Sequence, residues 1–244
     1  MNQSEDKPNA TLPRHLAVIM DGNGRWAQAR GRDRSWGHKR GAEAVRPIVT
    51  ECSNLGLEAL TLYSFSTENW TRSQGEVDVL MQLYVQYLNS ERKLFLDNNV
   101  RFKRIGRRDG LPDPVLDALD ALEQSTAHHT GLTLCMAINY GSRQEITDAV
   151  RSIAQQAADG SLSPGGIDEQ LITNHLDTAG LPDPDLLVRT AGEMRLSNYL
   201  LWQLSYAELY VANVCWPEFT VAELHEALGS FRGRVRKFGG VMDS

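Results

Sequence analysis

The sequence predicts an α/β domain: a central, mostly parallel β-sheet flanked by helices. Three observations carry this. Short apolar runs rich in β-branched residues recur along the 244 residues, and stretches of helical periodicity separate most of them. The runs are continuously apolar rather than alternating, as strands are when helices cover both faces of a sheet.

The strands are expected at 16–20, 59–65, 100–105, 132–138 and 186–188. Helices are expected at 38–55, 76–98, 114–127, 143–159, 168–176 and 221–235. Pro47 is awkward in the first helix, because an interior proline costs about 3 kcal/mol; the helix either kinks there or begins nearby. In the second helix Val77, Leu80, Met81, Tyr84, Leu88 and Phe95 fall mostly three or four residues apart and form one apolar stripe. Such a stripe packs a core or lines a cavity for something apolar, and periodicity does not separate the two.

Length suits one large domain at 14–238, with a polar, flexible arm at 1–13 and a short tail at 239–244. Apolar residues make up 41% and charged residues 23%, an ordinary soluble composition. The first dozen residues lack the apolar core of a signal peptide, and no apolar run approaches the roughly 20 residues of a spanning helix. Cys52, Cys135 and Cys215 are widely spaced, which argues against a disulfide framework or zinc site and fits a reducing cytoplasm. A net charge of −6 argues against bulk attraction to nucleic acid.

The chemistry concentrates in "MDGNGRW", residues 20–26, at the end of the first predicted strand. Carboxyl ends of strands are where open α/β sheets bind ligands. The glycines let backbone N–H groups approach an anion such as phosphate, and Arg25 adds a charged fork. Asp21 would repel that anion unless a divalent cation stood between them, so the stretch suggests metal plus phosphate. A glycine turn whose aspartate caps the next helix is the plainer alternative. Arg30, Arg32, Arg34, His38, Lys39 and Arg40 follow as a basic cluster in an acidic protein. "YSFSTENWTR" follows the second predicted strand, "RTAGEMRLSN" follows the fifth, and "YAEL", around Glu208, lies near an apolar run. Ser66, Asn69, Arg72, Arg189, Arg195, Ser197 and Glu208 are therefore expected to face Asp21 across one crevice.

Taken together, "HLAVIMDGNGRWA", "GHKRGAE", "LTLYSFSTENWTR", "NYGSRQEI", "DLLVRTAGEMRLSN" and "LLWQLSYAELY" resemble, in order and spacing, the cis-prenyltransferases, the undecaprenyl diphosphate synthase family of isoprenyl transferases. The likeness runs from about His15 to Phe238. It implies a single-domain fold with an apolar tunnel. The implied reaction joins isopentenyl diphosphate units to an allylic diphosphate such as farnesyl diphosphate. The product is a long-chain Z-polyprenyl diphosphate such as undecaprenyl diphosphate, made by a cytoplasmic homodimer with Mg²⁺ and delivered at the membrane surface.

By the same resemblance Asp21 and Asn69 are catalytic, and Asp21 and Glu208 are linked to the metal, Glu208 from its own or the neighbouring subunit. Gly22, Asn23, Gly24, Arg25, Trp26, Arg34 and His38 would hold the allylic diphosphate. Arg189, Arg195 and Ser197 would clamp isopentenyl diphosphate. Ser66, Thr67, Glu68, Asn69, Trp70 and Arg72 belong to the motif that positions the condensing partner and removes its proton. Leu62, Ser64, Leu80 and Leu132 would line the tunnel, and small Ser64 implies a long product. Met194 stands where many bacterial relatives carry histidine, and Ala191 replaces the commoner glycine. The "RKFGG" ending resembles tails that contact the partner's site. Two rival readings are a partner-dependent or non-catalytic subunit, and a haloacid dehalogenase-like phosphatase, which wants an acid where Asn23 stands.

Overall fold

The computed structural model describes residues 12–232. The expected arm, the "RKFGG" ending and the last residues of the final predicted helix lie largely or wholly outside them. Every residue of β1 (His15–Ile19) is buried, because both of its faces are covered. Leu16 and Val18 enter one apolar core, while Ala17 and Ile19 enter a second on the opposite face. Alternate side chains of a strand point to opposite faces, so an unbroken apolar run is what a central strand requires.

β2 (Ala59–Ser66), β3 (Arg101–Ile105), β4 (Thr133–Tyr140), β5 (Leu186–Arg189) and β6 (Glu208–Val211) complete a six-stranded sheet in the order β3-β4-β2-β1-β5-β6. Every pairing is parallel. The chain leaves β1 toward β2 on one side and leaves β5 toward β6 on the other. Connections that diverge from neighbouring strands open a crevice at their carboxyl ends. Asp21 and Arg189 stand on its two sides.

Two helices precede β2: α1 (Asn23–Gln28) and α2 (Arg34–Asn54). The other helices are α3 (Gln74–Asp97), α4 (Asp113–Thr126), α5 (Ser142–Ala158), α6 (Glu169–His175) and α7 (Val221–Arg232). Helix α1 replaces the loop expected after β1, and α2 starts four residues before its expected onset. Pro47 lies in the interior of α2 and is exposed, as is Glu43 one turn earlier, whose carbonyl loses its N–H partner. Strand β6 has no counterpart among the expected strands; it is a four-residue, partly exposed edge strand without a continuous apolar run.

Helices α2, α3, α4 and α7 cover one face, burying Ile48, Val49, Leu80, Leu88, Leu119 and Leu228 against Leu60, Leu62 and Leu134. The other face packs Tyr63, Tyr140 and Tyr199, with the Tyr63 and Tyr199 rings stacked at 4.3 Å. No described helix is long and apolar enough to cross a membrane.

Candidate active site

Gly22 ends the β1 turn at φ 96°, a conformation that favours glycine, and starts α1 without a side-chain cap. A Cβ there would lie 2.8 Å from both Ala191 Cβ and Cys215 Sγ, so the backbone fits closely between the loops after β5 and β6. Buried Thr190 fixes the preceding residue: its hydroxyl accepts from the Asp21 amide at 2.8 Å and donates to the Asp21 carbonyl at 2.7 Å.

The Asp21 carboxylate therefore projects into the crevice at a set angle. Its Oδ1 accepts from the Gly22 amide at 2.7 Å and from Arg25 Nη2 at 3.3 Å. Oδ2 accepts from Arg189 Nη2 at 2.9 Å and lies 3.8 Å from Arg195 Nη2. Partial burial pushes the Asp21 pKa up, but the Arg189 guanidinium, the Gly22 amide and Arg25 more than offset it and hold the carboxyl below its ordinary value. Arg189 is itself buried; its Nη1 donates to Ser197 Oγ at 2.9 Å and to the Arg195 carbonyl, while Nε has no partner. Ser197 adopts φ 52° and Ala191 φ 68°, left-handed conformations that cost a non-glycine residue roughly 1–2 kcal/mol each. That strain sits in the loop that positions Arg189's partners.

A second charged group faces the first. Glu76, in the first turn of α3, accepts from Arg34 Nε at 3.0 Å, from Arg72 Nη1 at 2.9 Å and from His38 at 3.0 Å. Burial opposes its ionisation, yet these partners bring its pKa down to about 2. Burial lowers the His38 pKa against the pull of Glu76, so His38 is neutral near pH 7 with Nε2–H donating to the carboxylate. Glu76 is the residue that sequence reasoning missed. Its local signal, Ser73 three residues ahead, reads as an ordinary capping pattern, and the Ser73 side chain does accept from the Glu76 amide.

Between these groups lies a polar basin of about 240 Å³. Asp21, Gly22, Asn23, Gly24, Arg25, Arg34, His38, Ser64, Ser66, Asn69, Arg72, Leu80, Arg189 and Ser197 line it. Asn69 also caps its own turn, Oδ1 accepting from the Ser66 amide at 3.1 Å. Behind the basin, sharing Met20, Asn23, His38, Tyr63, Ser64 and Leu80 with it, is a recess of about 70 Å³ walled by Val45, Leu83, Tyr84, Tyr87, Met136 and Trp216. The α3 stripe thus serves both core and recess.

Other expected residues are elsewhere. Glu208 opens β6 opposite Leu186, whereas Asp21 lies beyond the Arg189 end of the same strands. Three residues of strand rise, about 10 Å, separate the two ends, so Glu208 does not reach Asp21 within one chain. Leu62 and Leu132 are fully packed in the core and line neither space. Trp26 stacks on Trp36 at 4.6 Å, outside the basin lining. Trp70 donates to Asn139 Oδ1 at 2.7 Å; the Thr67 hydroxyl donates to Glu68, and Glu68 accepts from Asn198 at 2.9 Å. These three brace neighbouring loops rather than line the basin. Arg195 sits at the rim, paired with Glu193, and Met194 is 82% exposed.

Among the described residues no three or more His, Cys, Asp or Glu side chains converge as a metal cage. The donor set nevertheless suits Mg²⁺, which keeps waters and binds one or two carboxylates together with substrate phosphates. Asp21 is such a carboxylate, beside cationic groups that attract phosphate.

Comparison with known proteins agrees with this geometry. The Prenyltransf family model, described as undecaprenyl diphosphate synthase, matches residues 19–239. An isoprenyl transferase of Rhodopirellula baltica is 52% identical over 94% of this chain and 94% of its own. One from Geobacter sulfurreducens is 51% identical over 93% of each. Among solved structures, lavandulyl diphosphate synthase from Lavandula x intermedia, in complex with dimethylallyl diphosphate, superposes with a TM-score of 0.92 at 39% identity, covering 93% of this chain and 98% of that one. Neither the phosphatase nor the non-catalytic reading is favoured by these matches.

Proposed function

Since the chain belongs to the undecaprenyl diphosphate synthase family of isoprenyl transferases, we propose that its basin condenses isopentenyl diphosphate with an allylic diphosphate to give a Z-polyprenyl diphosphate. The observation that carries this is the pairing of two cationic groups, one on Asp21 and one on Glu76, at the mouth of an apolar recess. Two diphosphate heads suit the former, and the latter gives the first carbons of a hydrocarbon chain an apolar entry.

The primer diphosphate is assigned to the Gly22–Arg25 backbone with Arg25, Arg34 and His38, its chain directed past Ser64 and Leu80 into the recess. Isopentenyl diphosphate is assigned to Arg189, Arg195 and Ser197, with Ser66, Asn69 and Arg72 orienting it. As the allylic C–O bond breaks, negative charge gathers on the departing pyrophosphate. Arginine donors aimed there stabilise the transition state more than the ground state. The π electrons of isopentenyl diphosphate form the new C–C bond, and loss of one proton from the resulting cation sets the double bond. The departing pyrophosphate is base enough for that proton. Geometry then decides Z against E, because both heads are held while the bond forms.

Asp21 would hold Mg²⁺, which when bound supplies charge neutralisation on the leaving diphosphate. Any metal role of Glu208 requires the neighbouring subunit of a homodimer. A cytoplasmic enzyme releasing its product at the membrane surface is the setting we assign, and small Ser64 supports a long product. The test is incubation of the purified protein with farnesyl diphosphate, labelled isopentenyl diphosphate and Mg²⁺, with EDTA as control. Long Z-chains formed only with Mg²⁺ are expected. No incorporation with farnesyl, geranyl or geranylgeranyl primers overturns the reading.

A further inference from the structure

The segment "NYGSRQEI", residues 139–146, contributes nothing to the basin lining. Helix α5 starts within it, after Gly141, without a side-chain cap of its own, so its first N–H groups need acceptors from elsewhere. Asn198, in the loop after β5, supplies two. Its carbonyl accepts from the Ser142 amide at 2.8 Å and its Oδ1 from the Arg143 amide at 2.9 Å. The Leu201 amide of the same loop donates back to the Ser142 hydroxyl at 2.9 Å.

Asn198 Nδ2 extends the link to a third segment. It donates to Gln144 Oε1 at 3.2 Å and to Glu68 Oε1 at 2.9 Å, and Glu68 belongs to the 3₁₀ turn Thr67–Thr71 that follows β2. Asn198 sits at φ 59°, a left-handed conformation that asparagine adopts more readily than most side chains. Gly141 leaves the room: a Cβ there would lie 2.7 Å from both Asn198 Nδ2 and Thr67 Oγ1.

Each end of the Asn198–Glu68 bond is one residue from the basin wall. Ser197 precedes Asn198 and Asn69 follows Glu68, and both line the basin together with Arg72. Strand β1 stands between β2 and β5, so the two loops share no strand pairing and the bond spans the gap. Tyr63 of β2 adds a longer link, its hydroxyl donating to the Ser197 carbonyl at 3.3 Å.

We propose that Asn198 is a positioning residue for the condensation: through Glu68 it fixes the separation of Ser197 from Asn69 and Arg72 and so holds the isopentenyl diphosphate end of the basin in shape. This rests on the isoprenyl transferase reading and adds to it a residue that does not itself line the basin.

The experiment separates the cap from the link. Asn198→Asp keeps an acceptor for the Arg143 amide, and its negative charge suits the N-terminus of α5. Gln144 can turn its amide to donate to the new carboxylate, whereas Glu68 can only repel it. Adding Glu68→Gln gives the link a donor again. With Mg²⁺, farnesyl diphosphate and labelled isopentenyl diphosphate, Asn198→Asp should raise the KM for isopentenyl diphosphate about ten-fold, the worth of one hydrogen bond to a charged group. The kcat, the primer KM and the thermal midpoint should change far less, and the double variant should recover most of the lost KM. Asn198→Gly suits the left-handed backbone and keeps the Ser142 bond, so it loses the link without adding charge and should raise the same KM. An unchanged KM for isopentenyl diphosphate in the folded Asp or Gly variant overturns the positioning role, as does a double variant no better than Asn198→Asp; both leave the transferase reading intact. Both KM values rising in step with a fall in the thermal midpoint would mark a merely structural residue and also overturn it. No incorporation by wild type with any allylic primer overturns both.

Discussion

Replacing Asp21 with Asn removes one negative charge from among three guanidinium groups while nearly preserving shape, and it has consequences of opposite sign for binding and for folding. The carboxylate oxygens lie 3.3 Å from Arg25 Nη2, 2.9 Å from Arg189 Nη2 and 3.8 Å from Arg195 Nη2. A diphosphate drawn to the same arginines would meet the carboxylate at roughly 5 Å, where two unit charges repel by about 3 kcal/mol at an effective dielectric of about 20. Asp21 retains 26% side-chain exposure, and solvent screening brings the repulsion to about 1–2 kcal/mol. Without metal, Asp21→Asn should therefore bind inorganic pyrophosphate about ten-fold more tightly than wild type. The same change leaves buried Arg189 without its counter-ion, so the variant should unfold more easily, by about 1–3 kcal/mol. Adding Mg²⁺ should tighten pyrophosphate on wild type and do little for the variant, whose turnover is lost. Titration calorimetry in EDTA and then in Mg²⁺ reads all three binding terms. Weaker metal-free binding by the variant would refute the electrostatic reasoning, and equal tightening of both proteins by Mg²⁺ would refute the metal assignment.

Glu76→Gln tests the second charged group through pH. The folded pKa of Glu76, about 2, lies below its unfolded value of 4.5, so its stabilisation is present above pH 4.5 and is lost as pH falls toward 2. Urea unfolding at pH 7 should show a loss of about 2–3 kcal/mol in the variant, shrinking toward zero near pH 2; a deficit independent of pH would contradict the assignment. Gly37→Ala would place a Cβ 2.0 Å from the Asn23 carbonyl oxygen, forcing α1 away from α2; we expect about 1–3 kcal/mol of destabilisation and a raised KM for the primer. Unchanged thermal midpoint and KM would show that the close approach is not needed. Ser64→Leu should break the Tyr84 contact, fill the recess and shorten the products, and unchanged lengths would remove Ser64 from the chain's path.

Strand β1 and the residues after it were readable because a wholly buried parallel strand leaves an unbroken apolar run, and the polar residues that end it stand out. Helix α1 was not readable. Asp21-Gly22-Asn23-Gly24 spells a turn, and only packing against α2, where Gly37 admits the Asn23 carbonyl, makes the following residues helical. Glu208 shows a different limit. Sequence order put it near an apolar run where no strand was expected, so its place along the sheet was not legible, and the register with Leu186 puts it at the end away from the basin. Leu62 is on the face of β2 that looks toward α2 and α3, yet a one-dimensional pattern does not separate a core wall from a cavity wall.

Glu76 connects these observations to the way the site is held before substrate arrives. A basin lined by arginines that face no anion would repel itself and resist folding. Here each cationic group is held by a carboxylate: Asp21 holds Arg189 and Arg25, and Glu76 holds Arg34 and Arg72 while accepting from neutral His38. On the proposed assignment a diphosphate would find donors already oriented, and its binding would exchange one set of charge-assisted bonds for another rather than order free side chains, which lowers the entropic cost. The same proposal gives the two carboxylates different roles once a diphosphate is bound. Asp21 can retain a favourable role beside it through a shared cation, whereas Glu76 sits behind its partners and keeps them in place. Asp21→Asn should then abolish turnover however well it binds pyrophosphate, while Glu76→Gln raises KM through loosened Arg34 and Arg72 and leaves the chemistry of the bound complex largely intact.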